Sequence, residues 1–198
     1  MKKIFIYVGR GAYQAKDIEN FLAVFNYDYN RINEVEFDQL TSKDILIIPG
    51  GEIRAYLSAM GDKGIELIRK FVQTGGVYIG ICAGVYIAGN SYNNHPGLNF
   101  FPQSLNSYKT QATIDVIDQA ENKFQLINEN GPSLSAIKSD QVLLKEDNNN
   151  SQAIMINYGQ GKVYLFASHP EGSIYYKLPP YEFSGAQYFK GFIDQLIT

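Results

Sequence analysis

The 198-residue chain sets 17 Lys and Arg against 20 Asp and Glu, a formal net charge of -3, with 45% hydrophobic and 19% charged residues. That balance belongs to a globular protein long enough to bury a core, and it offers neither the cationic excess of a nucleic-acid binder nor an apolar run near the ~20 residues of a membrane-spanning helix. One cysteine excludes an internal disulfide and two histidines give no metal-ligand spacing, so no metal and no cofactor are expected and the cytoplasm is the expected compartment.

The apolar run at residues 4–8 is too short for a signal-peptide core and ends at Gly9-Arg10-Gly11, which reads as a strand followed by a loop. Ile18, Phe21, Leu22 and Phe25 then recur at helical spacing. The aliphatic residues 45–48 suit a strand covered on both faces, as in a parallel sheet, and stop at Pro49-Gly50-Gly51. A helix follows, with Asp62 as its cap, Ile65, Ile68, Phe71 and Val72 as its stripe, and Gly75-Gly76 as its end. Residues 77–81 form the next strand, which turns sharply into a helix at Cys82. This alternation predicts a doubly wound α/β sheet with its reactive loops at the carboxyl ends of the strands.

The second half changes character. Residues 112–117, 123–127, 141–144, 153–156 and 163–167 read as short strands without long helices between them, an antiparallel extension of a mostly parallel sheet. Ser184, with Gln187 three residues on, predicts a capping box, and Phe189, Phe192, Ile193, Leu196 and Ile197 form the buried stripe of the last helix. With no repeat and no linker, residues 1–198 read as a single domain.

Cys82 stands between Gly80 and Gly84, the thiol version of a nucleophile elbow: small residues flank a tight strand-to-helix turn that presents the sulfur at a helix start. Alone, such a cysteine reads as a small buried hydrophobe. A base changes that reading. His169 follows the strand at 163–167, and Glu171 lies two residues on, on the same side of an extended segment, where it would orient the imidazole. Ala83 and Gly51 are the expected oxyanion-hole amides. Gly50 and Gly11 are expected at the substrate pocket, although Gly9 and Gly11 read as well as plain turn residues. The glycine pattern after residue 8 is no dinucleotide fingerprint, because Gln14 occupies its third glycine position. Tyr86 and Tyr92 read equally as pocket lining and as core, and His95 receives no role.

Pro49-Gly50-Gly51, Gly80-Ile81-Cys82-Ala83-Gly84 and His169-Pro170-Glu171 resemble, in content and order, the class I glutamine amidotransferase superfamily. Residues 78–86 and 159–166 are most similar to its biotin-protein ligase N-terminal-like branch. The resemblance implies a flavodoxin-like sheet and a Cys-His-Glu triad working through a thioester. It departs at Tyr86, where glutamine-hydrolysing members carry a glutamine that contacts substrate. Too few residues follow Glu171 for a biotin-ligating domain. The expected function is therefore a cysteine-dependent amide hydrolase or amidotransferase-like enzyme acting on a small amide or acyl substrate, with a protein partner as a further expectation. A binding or regulatory module of the same fold without turnover is the alternative. A deglycation-type protein with Glu52 beside the cysteine is a third.

Overall fold

Unbroken aliphatic runs can be satisfied only where both faces of a strand are covered, and the central strands of the sheet have that property. The computed structural model describes residues 2–105, 111–174 and 184–198. In chain order its first half comprises β1 (Ile4–Tyr7), α1 (Ala15–Val24), β2 (Tyr29–Ile32), β3 (Ile45–Ile48), α2 (Ile53–Gln73), β4 (Val77–Ile81), α3 (Ala83–Ala88) and a small ribbon of β5 (Ser91–Tyr92) with β6 (His95–Pro96). The second half adds β7 (Gln111–Asp118), β8 (Lys123–Glu129), β9 (Gln141–Lys145), β10 (Ser151–Tyr158), β11 (Gly161–Phe166) and α4 (Gly185–Ile197).

Among the described residues nine strands form one sheet in the order β2-β1-β3-β4-β11-β10-β9-β7-β8. Every pairing from β2 to β11 is parallel and every pairing from β11 to β8 is antiparallel. The parallel part has the flavodoxin-like order, reversing between β1 and β3, where ligands of such sheets bind. Side chains alternate across it. Ile45, Ile47, Ile79 and Ile81 join Ile18, Phe21 and Leu22 of α1 and Phe189, Phe192 and Ile193 of α4. Leu46, Ile48 and Tyr78 face Leu57, Met60, Ile68 and Phe71 of α2, with Val85 and Ile87 of α3. Both faces are thus covered, as a doubly wound sheet requires.

Two details differ from the sequence reading. The second helix begins at Ile53, ahead of Asp62, because the Glu52 carboxylate accepts the Arg54 and Ala55 amides at 3.0 and 2.7 Å. Gly61, at φ 53°, interrupts it, so a second helical segment does open at Asp62. The strand β2 was not anticipated: its Tyr-Asn-Arg-Ile sequence leaves the two middle residues exposed, as an edge strand permits. Among the described residues no helix is long and apolar enough to cross a membrane.

Candidate active site

The elbow has the geometry that its glycines imply. Cys82 adopts φ 50° and ψ -102°, a left-handed conformation that costs a non-glycine residue about 1–3 kcal/mol. It is held there by its own amide, which donates to the Phe166 carbonyl at 2.9 Å, and by the Val85 amide, which donates to the Cys82 carbonyl at 2.9 Å. A Cβ on Gly84 would strike the Ile48 carbonyl, and one on Gly80 would lie 2.7 Å from the Gly84 carbonyl. Tyr78, fully buried, donates its hydroxyl to that same Gly84 oxygen at 2.6 Å and locks the first turn of α3.

β4 and β11 run parallel with Ile81 opposite Phe166, so the two strands end together. Cys82 leaves one and His169 follows the other at the same rim. The His169 amide donates to the Ile127 carbonyl at 2.8 Å, an isolated bridge that ties the rim to β8. Pro170 follows, and Glu171 opens a short 3-10 turn in which the Gly172 amide donates to the His169 carbonyl. That turn, rather than an extended segment, brings the Glu171 Oε1 to 2.9 Å from His169 Nδ1. Both side chains are almost fully buried.

Burial alone would push the imidazole pKa down. That is the largest single effect, but the Glu171 charge, the contact with Cys82 and the Nδ1 hydrogen bond to Glu171 together outweigh it, and the net direction is well above the ordinary value. The raised pKa favours the imidazolium, the form that can offer the sulfur a counter-charge. In this resting arrangement the thiol donates to the Glu129 carbonyl at 3.2 Å, while Nε2, on the thiol side, has no well-aligned partner among the described residues.

Cys82 is 8% exposed, at the floor of a recess of about 350 Å³ lined by Tyr13, Gln14, Gly51, Ile53, Cys82, Ala83, Tyr86, Glu129 and Asn130. Gly51 and Ala83 thus share the recess with the sulfur, and neither amide donates a turn, loop or cap hydrogen bond among the described residues. Tyr86 lines the recess and is also core: its ring is buried and its hydroxyl donates to the Asn130 carbonyl at 2.7 Å. Gly50 and Gly11 are not among the residues that line the recess. A Cβ on Gly50 would strike the Gln14 side chain and come within 2.9 Å of His169 Cε1, so its smallness admits the imidazole. Gly11, at φ 94°, backs onto Gly51 through its carbonyl. Glu52 accepts the Arg54 and Ala55 amides on its two carboxylate oxygens as the cap of α2, and it is not among the residues that line the recess.

Sequence reasoning passed over Gln14, Glu129 and Asn130. Gln14 donates to the Glu129 carboxylate at 3.1 Å across 115 positions, a contact with no local signature. Asp17, on α1, also belongs to this neighbourhood: burial first, and then the Glu171 charge, raise its pKa.

Residues 4–98 match the family described as biotin-protein ligase, N terminal. Two curated relatives are pyridoxal 5'-phosphate synthase subunits PdxT. The chain is 40% identical to that of Koribacter versatilis over 57 residues, 29% of either chain, and 26% identical to that of Haloquadratum walsbyi over 140 residues, 65% of either chain. The matches thus span less than two thirds of those relatives. A solved structure of a glutamine amidotransferase superposes with a TM-score of 0.74 at 15% identity, covering 98% of this chain and 99% of that one. The chain accordingly has the class I glutamine amidotransferase-like fold, and its first half resembles the N-terminal segment of biotin-protein ligase.

Proposed function

We propose that the chain is a cysteine-dependent amide hydrolase of the amidotransferase type. The observation that carries this reading is the buried His169–Glu171 pair at 2.9 Å, at the rim where the strained Cys82 is displayed. The sulfur, as thiolate, attacks the amide carbon. An S–C bond forms and negative charge moves to the carbonyl oxygen, which faces the Gly51 and Ala83 amides. The C–N bond then breaks as His169 hands its proton to the departing nitrogen. Water, deprotonated by His169, attacks the thioester, the C–S bond breaks, and a carboxylic acid leaves. Glu171 holds the imidazole in place throughout.

The relatives' description as synthase subunits supports a protein partner that receives the released amine. The recess suits a small amide, with Tyr86 on its wall. Intact-protein mass spectrometry after incubation with glutamine and a panel of small amides should find an acyl adduct on Cys82. The Cys82→Ala protein should lose hydrolysis by about 10³-fold or more while keeping its fold. An unchanged rate in that variant overturns the assignment.

A second reading is a module of the same fold without turnover. The thiol's bond to the Glu129 carbonyl favours it, because that bond directs the proton away from His169. Ready alkylation of Cys82 with no Cys82-dependent turnover on any amide would establish it.

A further inference from the structure

An oxyanion hole depends on the direction of its amides, and the peptide that carries the Gly51 N–H is fixed from behind. In a trans peptide the C=O and N–H point to opposite sides. The Gly50 carbonyl, the other end of the Gly51 amide's peptide, accepts the Gln14 amide at 3.1 Å and the Tyr56 hydroxyl at 3.1 Å. Tyr56 is buried beneath this loop and Gln14 is half-buried, and the trans geometry directs the Gly51 N–H away from both donors; Gly51 itself lines the recess that holds Cys82 and Ala83.

Tyr56 reaches this point from the first turn of α2, fully buried. Its hydroxyl is shared between the Gly50 carbonyl and the Pro49 carbonyl at 3.0 Å. The next peptide is pinned as well, since the Glu52 amide donates to the Gly11 carbonyl at 2.9 Å. The ring of Tyr7 packs edge-on against Tyr56 at 5.4 Å and steadies it. No element of the triad explains a hydroxyl in this place. We propose that Tyr56 is a positioning residue that aims the Gly51 amide at the developing oxyanion through the Gly50 carbonyl. The assignment rests on the amide-hydrolase reading above.

Removing the hydroxyl leaves the ring, the thiol and the imidazole in place, and releases one of the two anchors on the Gly50 carbonyl. A reaction that builds an oxyanion should therefore slow, whereas one that only needs the sulfur should not. With p-nitrophenyl acetate the S–C bond forms to give a tetrahedral oxyanion, whose collapse breaks the C–O bond and releases p-nitrophenolate. Iodoacetamide alkylates the same sulfur by displacing iodide, without an oxyanion.

For Tyr56→Phe we expect acylation of Cys82 to fall at least about tenfold, short of the ~10²–10³ that follows outright loss of a donor. We expect alkylation by iodoacetamide to stay within about twofold, because no oxyanion enters that step. Unchanged acylation overturns the assignment. So does an equal fall in both rates, which would mark Tyr56 as a support for the elbow as a whole. Wild-type acylation matched by the Cys82→Ala protein would instead overturn the amide-hydrolase reading itself.

Discussion

At His169 two opposing effects meet within one side chain. Burial, the largest single effect, disfavours the imidazolium, and the Glu171 carboxylate and Cys82 together favour it more, so the folded pKa stands well above the ordinary value. A group raised in this way contributes stability that is complete below its unfolded pKa, about 6.5, and is lost as pH climbs through the folded value. The stability lost on His169→Gln, measured by urea unfolding, should therefore be largest near pH 6 and shrink on the alkaline side. Growth of that difference with pH would mean that the imidazole is buried neutral. Cys82 and His169 were legible because glycines and a strand end mark them in the sequence. The pairing with Glu171 was read from an extended backbone, and it arises in the 3-10 turn after Pro170. Glu129 left no mark, since its carbonyl meets the thiol only through a contact 47 positions away.

Elements were readable where local chemistry sets them. The Ser184 hydroxyl accepts the Gln187 amide at 3.2 Å, and the Gln187 side chain accepts the Ser184 amide at 2.8 Å, as the spacing of the two residues foretold. Ser184→Ala should cost about 1 kcal/mol of global stability by denaturant titration. A loss below about 0.3 kcal/mol would show that packing of Phe189 and Phe192 alone holds the helix start, the typical cap being worth ~0.5–2 kcal/mol. The start of α2 was misplaced for a related reason. Glu52 is a less favoured cap than Ser or Asp, and Asp62 opens the later of two helical segments, which Gly61 separates. Edge strand β2 lacks an apolar run altogether, so periodicity could not find it.

Over the whole molecule, the site joins parts of unequal burial. β3 and β4 are buried along their entire length, between α1 and α4 on one face and α2 and α3 on the other. β7 exposes four of its first five residues, and among the described residues β8 is the last strand of the sheet beyond it. Local opening follows burial: segments with few buried apolar contacts open well below the global unfolding free energy. Native-state hydrogen exchange should thus find the Ile47 and Ile79 amides opening only with global unfolding, and those of residues 111–115 opening earlier. Equal protection of the two sets would show that the antiparallel extension and the parallel half form one cooperative unit. The result bears on chemistry, because the Glu129 carbonyl that accepts the Cys82 thiol belongs to the end of β8, while the thiol belongs to the end of β4. If the extension opens first, the thiol's bond to the Glu129 carbonyl and the His169 bridge to Ile127 are both lost, while the Cys82 amide keeps its bond to the Phe166 carbonyl between the ends of β4 and β11, so the sulfur is freed from Glu129 without loss of the parallel half.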